Sequence, residues 1–331
     1  MKRIIRHLYS WHLIVTIFLL SSCNSGNKSE KKTIQYSEAT QELVKMLDTN
    51  RELKSLLIAS IEKAKQVNPD TNTNPLQSLD KYYEFASKAE TSTPWAVVKN
   101  EQGSATMENI FKFLCQFYFV VDQPLSGLEG KGYAHNSLQY VEPFASWLTT
   151  FNICWRKYLD SEQSWNDSYY QLLLHDTAFG LQAGWYEDPS HWKTFNQFFS
   201  RQLSSPSARP IASRNDDAVV VSFADAEPQG VWAIDSNSHI IDKDGVPVKS
   251  ATIKSVTKLL GDDSQYKNAF ANGTFTHSFL DVNDYHRYHF PISGTVKEMR
   301  LIQGINPPAV LLHGTQAKKG MYSIHLLLDG K

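Results

Sequence analysis

The sequence predicts an α+β protein in which a helical N-terminal domain is followed by a mostly antiparallel β C-terminal domain. From about residue 37 to 205, apolar residues recur at three- and four-residue spacing, as on the buried face of a helix. After about residue 205, short β-branched runs alternate with turn residues, as strands do. Helices and strands therefore occupy separate segments, which disfavours a doubly wound parallel sheet.

The composition is that of a globular protein. The chain has 331 residues, with 33 basic and 34 acidic side chains and a formal net charge of −1. This length is sufficient for two domains or one large one. A nucleic-acid-binding protein normally carries a basic excess on one face, so the charge balance disfavours that class.

Residues 1–23 are predicted to be a lipoprotein signal peptide. Basic residues near the start precede the apolar run 13–20 (LIVTIFLL), which is too short to span a bilayer. The following Leu-Ser-Ser-Cys resembles the lipobox of bacterial lipoproteins, in which Cys23 would become the lipidated first residue. The alternative is a plain signal peptide with an incidental cysteine. We expect an envelope protein on the exported side of a bacterial membrane, with residues 24–36 as a polar tether.

Residues 37–185 are predicted to form the helical domain. The segment 107–121 is so apolar that it must be a core helix, and 144–159 is a second apolar helix that ends near Asp160. Cys115 and Cys154 lie among large apolar residues, which indicates two buried thiols, although one disulfide is possible in an exported protein.

Residues 186–331 are predicted to form the β domain, which we expect to be incomplete. A hairpin turn is predicted at 242–245 and a short helix at 251–260, ending at Gly261. The predicted strands are 218–223, 231–234, 239–242, 273–280 and 294–302.

The stretch 284–291 (DYHRYHFP) concentrates the residue types that carry chemistry. His286 and His289 could be metal ligands, a catalytic pair or ordinary residues at a strand end. Residues three apart point to opposite faces of an extended strand, so a shared metal would need a turn, and we predict no metal site.

The order of motifs around this stretch resembles that of phosphatidylserine decarboxylases. The resemblance covers roughly residues 190–304, and 79–165 resembles the helical domain found in one branch of that family. The motifs are, in order, 192–203 (WKTFNQFFSRQL), 209–211 (RPI), 219–225 (VVVSFAD), Lys254 with 259–261 (LLG), Phe270 with 272–275 (NGTF), Leu280 and 284–296 (DYHRYHFPISGTV).

The resemblance implies a pyruvoyl-dependent carboxy-lyase that converts phosphatidylserine to phosphatidylethanolamine at a phospholipid membrane. In the family, a serine attacks its own preceding carbonyl, and the cleaved chain is left with a pyruvoyl group as electron sink. By resemblance His289 would be the base for that cleavage, Asp225 its orienting carboxylate, and His286 a substrate-pocket residue that assists proton transfer. Arg287 would be either a structural ion-pair partner or a phosphate contact.

The glycine-serine element of the family, which follows the histidine motif, has no counterpart in 290–331. Ser293 belongs to the motif itself, Ser323 follows a tyrosine, and the Gly103-Ser104 pair lies far upstream. We therefore expect this chain alone to form no pyruvoyl group, unless a separate chain carries the missing part. Two fragments on a denaturing gel, or labelling by a carbonyl reagent, would contradict that expectation. The alternative function is a non-catalytic lipoprotein that keeps the fold to bind a lipid or another ligand.

Overall fold

The computed structural model describes residues 34–97, 107–131, 136–216, 218–242, 245–248, 251–299, 309–311 and 323–325. Its α-helices are α1 (Glu38–Thr49), α2 (Arg51–Val67), α3 (Leu79–Glu90), α4 (Pro94–Val97), α5 (Met107–Val121), α6 (Phe144–Leu159), α7 (Asp167–Leu174), α8 (Phe195–Phe199) and α9 (Val256–Leu260). Its strands are β1 (Glu227–Ala233), β2 (Val246–Val248), β3 (Ala251–Ile253), β4 (Thr274–Phe279), β5 (Ala309–Leu311) and β6 (Ser323–His325). Short 3-10 helices link the later helices at Ser126–Leu128, Leu138–Tyr140, Glu162–Ser164, Thr177–Phe179, Leu181–Ala183, Pro189–His191 and Pro206–Ala208.

Capping side chains set the starts of the early helices. The Asn50 side chain accepts a hydrogen bond from the Leu53 N–H at 3.0 Å and so begins α2. Ser78 caps α3 in the same way. Leu53, Leu57 and Ile61 then recur at helical spacing on the buried face of α2. Local capping and apolar spacing therefore agree, as the sequence predicts.

The core of the helical part is rich in aromatic rings from α5 and α6. The rings of Phe117 and Phe151 stack with centroids 4.6 Å apart, and Trp147 packs beside them. The Trp147 indole N–H also donates to the Ala39 carbonyl at 2.7 Å, so its polar atom is satisfied. Both predicted apolar helices are confirmed, with bounds at Met107–Val121 and Phe144–Leu159.

The two described cysteines are free thiols. Cys115 and Cys154 are half-buried rather than fully buried, and they form no disulfide. Burial raises the pKa of Cys115 to about 12, so its thiol stays protonated and unreactive at neutral pH.

The strands are short and pair in antiparallel fashion. β1 pairs with β4, β2 with β3 and β5 with β6, and the β1–β4 register shifts between Pro228 and Gly230. A small second apolar cluster joins Ile234, Ile240, Val246 and Val256. The α+β prediction is confirmed, but the described C-terminal part is sparse in strands, so "mostly β" overstates its content.

Four element predictions in the C-terminal part are wrong. Residues 239–242 form no strand, because only His239 and Ile240 pair and each makes an isolated bridge. Residues 218–223 form no strand, although Val221 and Phe223 exchange backbone hydrogen bonds with Pro291 and His289. Residues 251–253 are strand β3 rather than the start of a helix, because they find a pairing partner in β2. Residues 294–299 form no strand in the described part of that segment.

Helices and strands from Tyr36 onward belong to one contact-dense unit, and the predicted domain boundary near residue 185 stays a prediction. The signal peptide with Cys23, and the tether up to residue 33, lie outside the described residues. No helix in the described ranges is both long and apolar enough to cross a membrane.

Glu90 ties the end of α3 to the start of α1. Its carboxylate is buried, at 4% exposure, and accepts hydrogen bonds from the Ser37 hydroxyl and from the Ala39 N–H at 3.1 Å. The first N–H groups of a helix have no intrahelical partner, so this carboxylate satisfies one of them.

Glu90→Ala is predicted to lower the free energy of unfolding by about 1–3 kcal/mol, because the buried donors of α1 lose their acceptor. Glu84→Ala on the same helix is the matched control. Glu84 is exposed and pairs with Lys81, so its loss is expected to cost less than about 0.5–1 kcal/mol. Urea unfolding followed by circular dichroism measures both, and equal losses for the two variants would contradict the capping role.

Candidate active site

The histidine motif begins in a tight turn that follows β4. The Asp284 carboxylate accepts a hydrogen bond from the Asp281 N–H at 2.7 Å, and the Asp281 carbonyl accepts one from the Asp284 N–H at 3.0 Å. Between them, the Val282 side chain is buried in the helical core. Residues 281–284 are thus fixed both by their own hydrogen bonds and by an apolar anchor.

Two arginines join this turn to the end of α8 in a reciprocal manner. The Arg201 guanidinium Nη2 donates to the carbonyls of Asn283 at 2.7 Å and Asp284 at 3.0 Å. In the opposite direction, the Arg287 Nε donates to the carbonyl of Ser200 at 2.8 Å. Each segment therefore supplies one guanidinium to the backbone of the other. In the described structure Arg287 donates to backbone carbonyl oxygens. This contact is neither of the two predicted roles, an ion pair or a phosphate contact.

The Arg201 side chain is fully buried, which is unusual for a charged residue. Its exposed fraction is 0%, and its guanidinium lies 4.4 Å from the Tyr186 ring centroid and 5.1 Å from that of Phe198. Cation–π contacts of this kind stabilise a desolvated guanidinium. Its Nε and Nη1 have no hydrogen-bond partner in the described structure. Burial lowers the pKa of Arg201, although a guanidinium keeps its charge at any physiological pH.

His286 is held between these elements. Its ring stacks on Phe199 with centroids 3.9 Å apart and an interplanar angle of 26°. Its Nε2 is buried and has no hydrogen-bond partner in the described structure. Burial first, and then the charge of Arg201, lower the pKa of His286 to about 4. The imidazole is therefore neutral at physiological pH, with one ring nitrogen uncommitted.

His289 lies on a more open part of the motif. Its ring is exposed and stacks on Tyr285 with centroids 5.5 Å apart. Its backbone N–H donates to the Phe223 carbonyl at 2.7 Å, and the Val221 N–H donates to the Pro291 carbonyl at 3.0 Å. These two bonds set the segment before Asp225 beside the histidine motif in antiparallel register.

Asp225 is engaged by an arginine rather than by the predicted histidine. Its carboxylate accepts a hydrogen bond and ion pair from the Arg209 guanidinium, which also lies 3.9 Å from the ring centroid of Trp185. In the described part of the chain, Asp225 and His289 form no hydrogen bond or ion pair. The structure thus brings the two segments together but not the two side chains, and their triad role stays a prediction.

Acidic side chains make the neighbourhood of the turn negative. Burial first, and then the charges of Asp281, Asp225 and Glu227, raise the pKa of Asp284 to about 6, while the hydrogen bond from the Asp281 N–H opposes the shift. Burial also raises the pKa of Asp281.

Across the described ranges, no group of three or more His, Cys, Asp or Glu side chains is arranged to hold a metal ion.

The serines considered as nucleophiles lie apart from this site or outside the described residues. Ser293 is exposed on an irregular segment, and Ser323 is the first residue of β6. Gly103 and Ser104 lie outside the described ranges.

Sequence reasoning missed the two arginines that organise the site. Arg201 and Arg209 both fall within the quoted motifs FFSRQL and RPI, but no role was predicted for them. The available signal is the position of Arg201 two residues after Phe199, the last of three closely spaced aromatic residues, where a charged side chain needs an unusual environment.

The comparisons with known proteins agree with the motif order. Residues 195–323 match the family model described as "Phosphatidylserine decarboxylase". The chain is 36% identical over 126 residues to a phosphatidylserine decarboxylase proenzyme of Vibrio campbellii, covering 37% of this chain and 41% of that protein. It is 32% identical over 170 residues to the proenzyme of Alcanivorax borkumensis, covering 51% of this chain and 54% of that protein.

Residues 195–323 are thus similar to phosphatidylserine decarboxylases. The chain spans about half or less of the length of the curated relatives it matches. Within residues 195–323, the contacts of Arg201 and Arg287 give a physical reason for the joint occurrence of FFSRQL and DYHRYH, since each motif supplies hydrogen-bond donors to the other. Decarboxylases of this family depend on a pyruvoyl group, and the buried, unpartnered His286 Nε2 is an atom that fits proton transfer beside such a group.

The raised pKa of Asp284 predicts a specific pH dependence of stability. The folded carboxyl has a pKa of about 6, above its ordinary value of 3.8, so the folded state binds more protons between these limits. The wild-type free energy of unfolding should gain from this group as the pH falls from about 6 to about 4. Asp284→Asn removes that gain and keeps an acceptor for the Asp281 N–H.

Urea unfolding of both proteins from pH 4 to pH 8 tests this: the advantage of the Asn variant over wild type should shrink as the pH falls. Asp188→Asn is the control of opposite sign. The Ser190 N–H lowers the pKa of Asp188, so its stabilisation is present at neutral pH and is lost on acidification. Parallel stability curves for wild type and Asp284→Asn would contradict the prediction.

Proposed function

We propose that this protein acts in phospholipid biosynthesis as a phosphatidylserine decarboxylase-like carboxy-lyase, forming phosphatidylethanolamine. The observation that carries the proposal is the half-buried His286, stacked on Phe199 with its buried Nε2 unpartnered, inside the segment that matches the family. A neutral imidazole can accept a proton from the substrate ammonium group and, as imidazolium, return that proton to the carbon that loses carbon dioxide.

His286 is therefore assigned the proton transfer during decarboxylation. The pyruvoyl group, when bound, supplies an electron sink for the carbon from which carbon dioxide leaves. Desolvation of His286 serves this chemistry because it keeps the ring neutral and excludes water as a competing proton source. The carbonyls that bind Arg201 keep the turn, and hence the ring, in a fixed orientation.

His289 and Asp225 are assigned the base and the orienting carboxylate of pyruvoyl formation. Support comes from the antiparallel register of 221–223 with 289–291, which, continued by one pair, sets residue 225 diagonally across from residue 289. Diagonal partners in such a register are about 7–8 Å apart, within reach of long side chains. The assignment requires Asp225 to turn from Arg209 towards His289 when the nucleophilic segment is in place.

The pyruvoyl-bearing element is proposed to come from a polypeptide other than residues 1–331. Large side chains beside the histidine motif are exposed: Tyr288 at 75%, Phe290 at 79% and Val220 at 72%. Exposed apolar groups of this size, clustered on neighbouring segments, fit a surface that a further part of a decarboxylase fold would cover. The curated relatives are long enough to contain such a part, since the matched region is 41% of one and 54% of another.

A second candidate function is a non-catalytic lipid-binding lipoprotein. The observation that favours it is the ion pair between Asp225 and Arg209, which leaves His289 without a carboxylate partner in the described structure. In that case the site would retain an aminophospholipid without decarboxylating it.

We also propose that the protein is a lipoprotein anchored at Cys23 on the exported side of a bacterial membrane. Support comes from the basic start, the short apolar run and the Leu-Ser-Ser-Cys sequence. Cys23→Ala is predicted to move the protein from the membrane fraction to the soluble fraction, and to abolish incorporation of radiolabelled fatty acid. Labelling that persists in the variant would contradict the assignment.

The decarboxylation proposal predicts phosphatidylethanolamine formation in a defined mixture. The full chain, in membranes, is combined with the part of the Vibrio campbellii relative that lies outside the matched region, and phosphatidylserine conversion is measured by mass spectrometry. We expect conversion with both components and none with either alone. His286→Gln should lower the rate by about 10²–10⁴-fold, the usual worth of a general acid or base.

His239→Gln is the matched control, because His239 is an exposed histidine on a different loop. Its rate should equal that of wild type. No conversion in a mixture whose added portion carries a reactive carbonyl would exclude the decarboxylase proposal. Retention of phosphatidylserine by the chain in that same mixture, measured with vesicles of phosphatidylserine and phosphatidylcholine, would then support the binding function.

A further inference from the structure

We propose that Arg201 is a positioning residue of the site, which fixes His286 against Phe199 by holding the turn at residues 283 and 284. The inference rests on the proposed function for its consequence in catalysis, and on the contacts of the described residues for its geometry. Arg201 touches neither the substrate nor the reacting atoms in this scheme, so it acts through His286.

Burial of the Arg201 guanidinium has a large free-energy cost. Transfer of a cation from water to a protein interior costs several kcal/mol unless partners compensate it. In the described part of the chain, Arg201 forms no ion pair with a carboxylate. Its hydrogen-bond acceptors are two backbone carbonyls and, at the long distance of 3.5 Å, the Tyr186 hydroxyl. An apolar side chain would fill this place at lower cost, so the charge and the donors serve something beyond packing.

Three consecutive residues at the end of α8 contact the histidine motif. Phe199 stacks on the His286 ring, the Ser200 carbonyl accepts from Arg287, and the Arg201 guanidinium binds the backbone at 283 and 284. Because these contacts lie on both sides of His286 in sequence, its ring is held from two directions. Release of the Arg201 contacts frees the turn that precedes His286 and lets the ring move off Phe199.

The charge of Arg201 has a second, separable effect. After burial, it is the next largest cause of the lowered pKa of His286, while the backbone of Val282 and Asp281 opposes the shift. Other charged groups lie close by: Asp284 and Asp225 act on Arg201, and Arg287 acts on Tyr285. A variant that removes only the Arg201 charge should therefore raise the pKa of His286.

Arg287 provides a matched control within the same junction. Like Arg201, it donates from a guanidinium to backbone carbonyls across the junction between α8 and the motif. It differs because it is not among the causes of the His286 pKa shift, whereas Arg201 is. If Arg201 served only to hold the two segments together, loss of either arginine would have the same effect on His286.

The test is an NMR titration of the full chain labelled with ¹⁵N-histidine, with the His286 signals assigned by their loss in His286→Gln. In wild type we expect His286 to stay neutral down to about pH 4. Arg201→Gln keeps a donor for the carbonyls but loses the charge, and should raise the pKa by about one unit or more. Arg201→Lys keeps the charge and should leave the pKa within about half a unit of wild type, as should Arg287→Gln.

An Arg201→Gln titration equal to that of wild type, or to that of Arg287→Gln, would overturn the inference. Far-UV circular dichroism and cooperative urea unfolding establish that each variant is folded. If Arg201→Gln does not fold, Arg201→Lys decides: a His286 pKa near the ordinary 6.5 in that variant would overturn the role of the charge.

In the two-component decarboxylation assay, Arg201→Gln and Arg201→Lys should lower kcat by about 10- to 100-fold, since small displacements of a reacting group have effects of that order. KM should change less than about twofold, because Arg201 does not contact the substrate. If the His286 titrations are as expected but no mixture decarboxylates phosphatidylserine, the proposed function is excluded and the positioning inference is retained. Decarboxylation with an unchanged kcat in both Arg201 variants, together with an unchanged His286 titration in Arg201→Gln, would overturn the positioning inference alone.

Discussion

The described structure around the candidate site depends on one interaction, the burial of the Arg201 guanidinium between two aromatic rings with its Nη2 on two carbonyls. The end of a helix and a turn more than 80 residues later meet at this group. Such a long-range contact has to offset the entropy lost when the chain between its two ends is closed into a loop. Charge-assisted hydrogen bonds are stronger than neutral ones, so they contribute to offsetting that loss.

The helical part gives this interaction a rigid base. The Phe195 N–H donates to the Ser164 hydroxyl at 2.9 Å, and the rings of Trp165 and Phe198 stack with centroids 4.9 Å apart. Thr194 and Gln197 form a capping box that fixes the start of α8. A helix of one and a half turns would be unstable alone, so its conformation is owed to these tertiary contacts. The aromatic core thus determines where Phe199 and Arg201 point.

The parts of the fold that follow from local sequence were predictable, and those that follow from distant pairing were not. The apolar spacing of α5 and α6 is strong over four turns, and both helices have the predicted bounds. Residues 218–223 have the β-branched composition of a strand, but a strand also needs a partner, and 289–291 offers two backbone hydrogen bonds. The opposite error occurs at residues 251–253. Their local propensity predicts a helix, but they form a strand because residues 246–248 pair with them, and local propensity contains no information on that partner.

At the site, the resemblance of motifs singles out the histidines and the carboxylate, whose roles stay predictions, but not Arg201 and Arg209, which contact the same segments. The partner of Asp225 shows what the motifs alone do not reveal. A carboxylate can serve His289 or neutralise Arg209, and in the described structure it does the second, with Arg209 stacked over Trp185. An exposed ion pair contributes only about 0–1 kcal/mol, so a competing partner of modest affinity is sufficient to separate it. Separation of Asp225 from Arg209 therefore costs little free energy. In the proposed cleavage, a nucleophile placed beside His289 would have to supply more than that amount to turn the carboxylate towards the histidine.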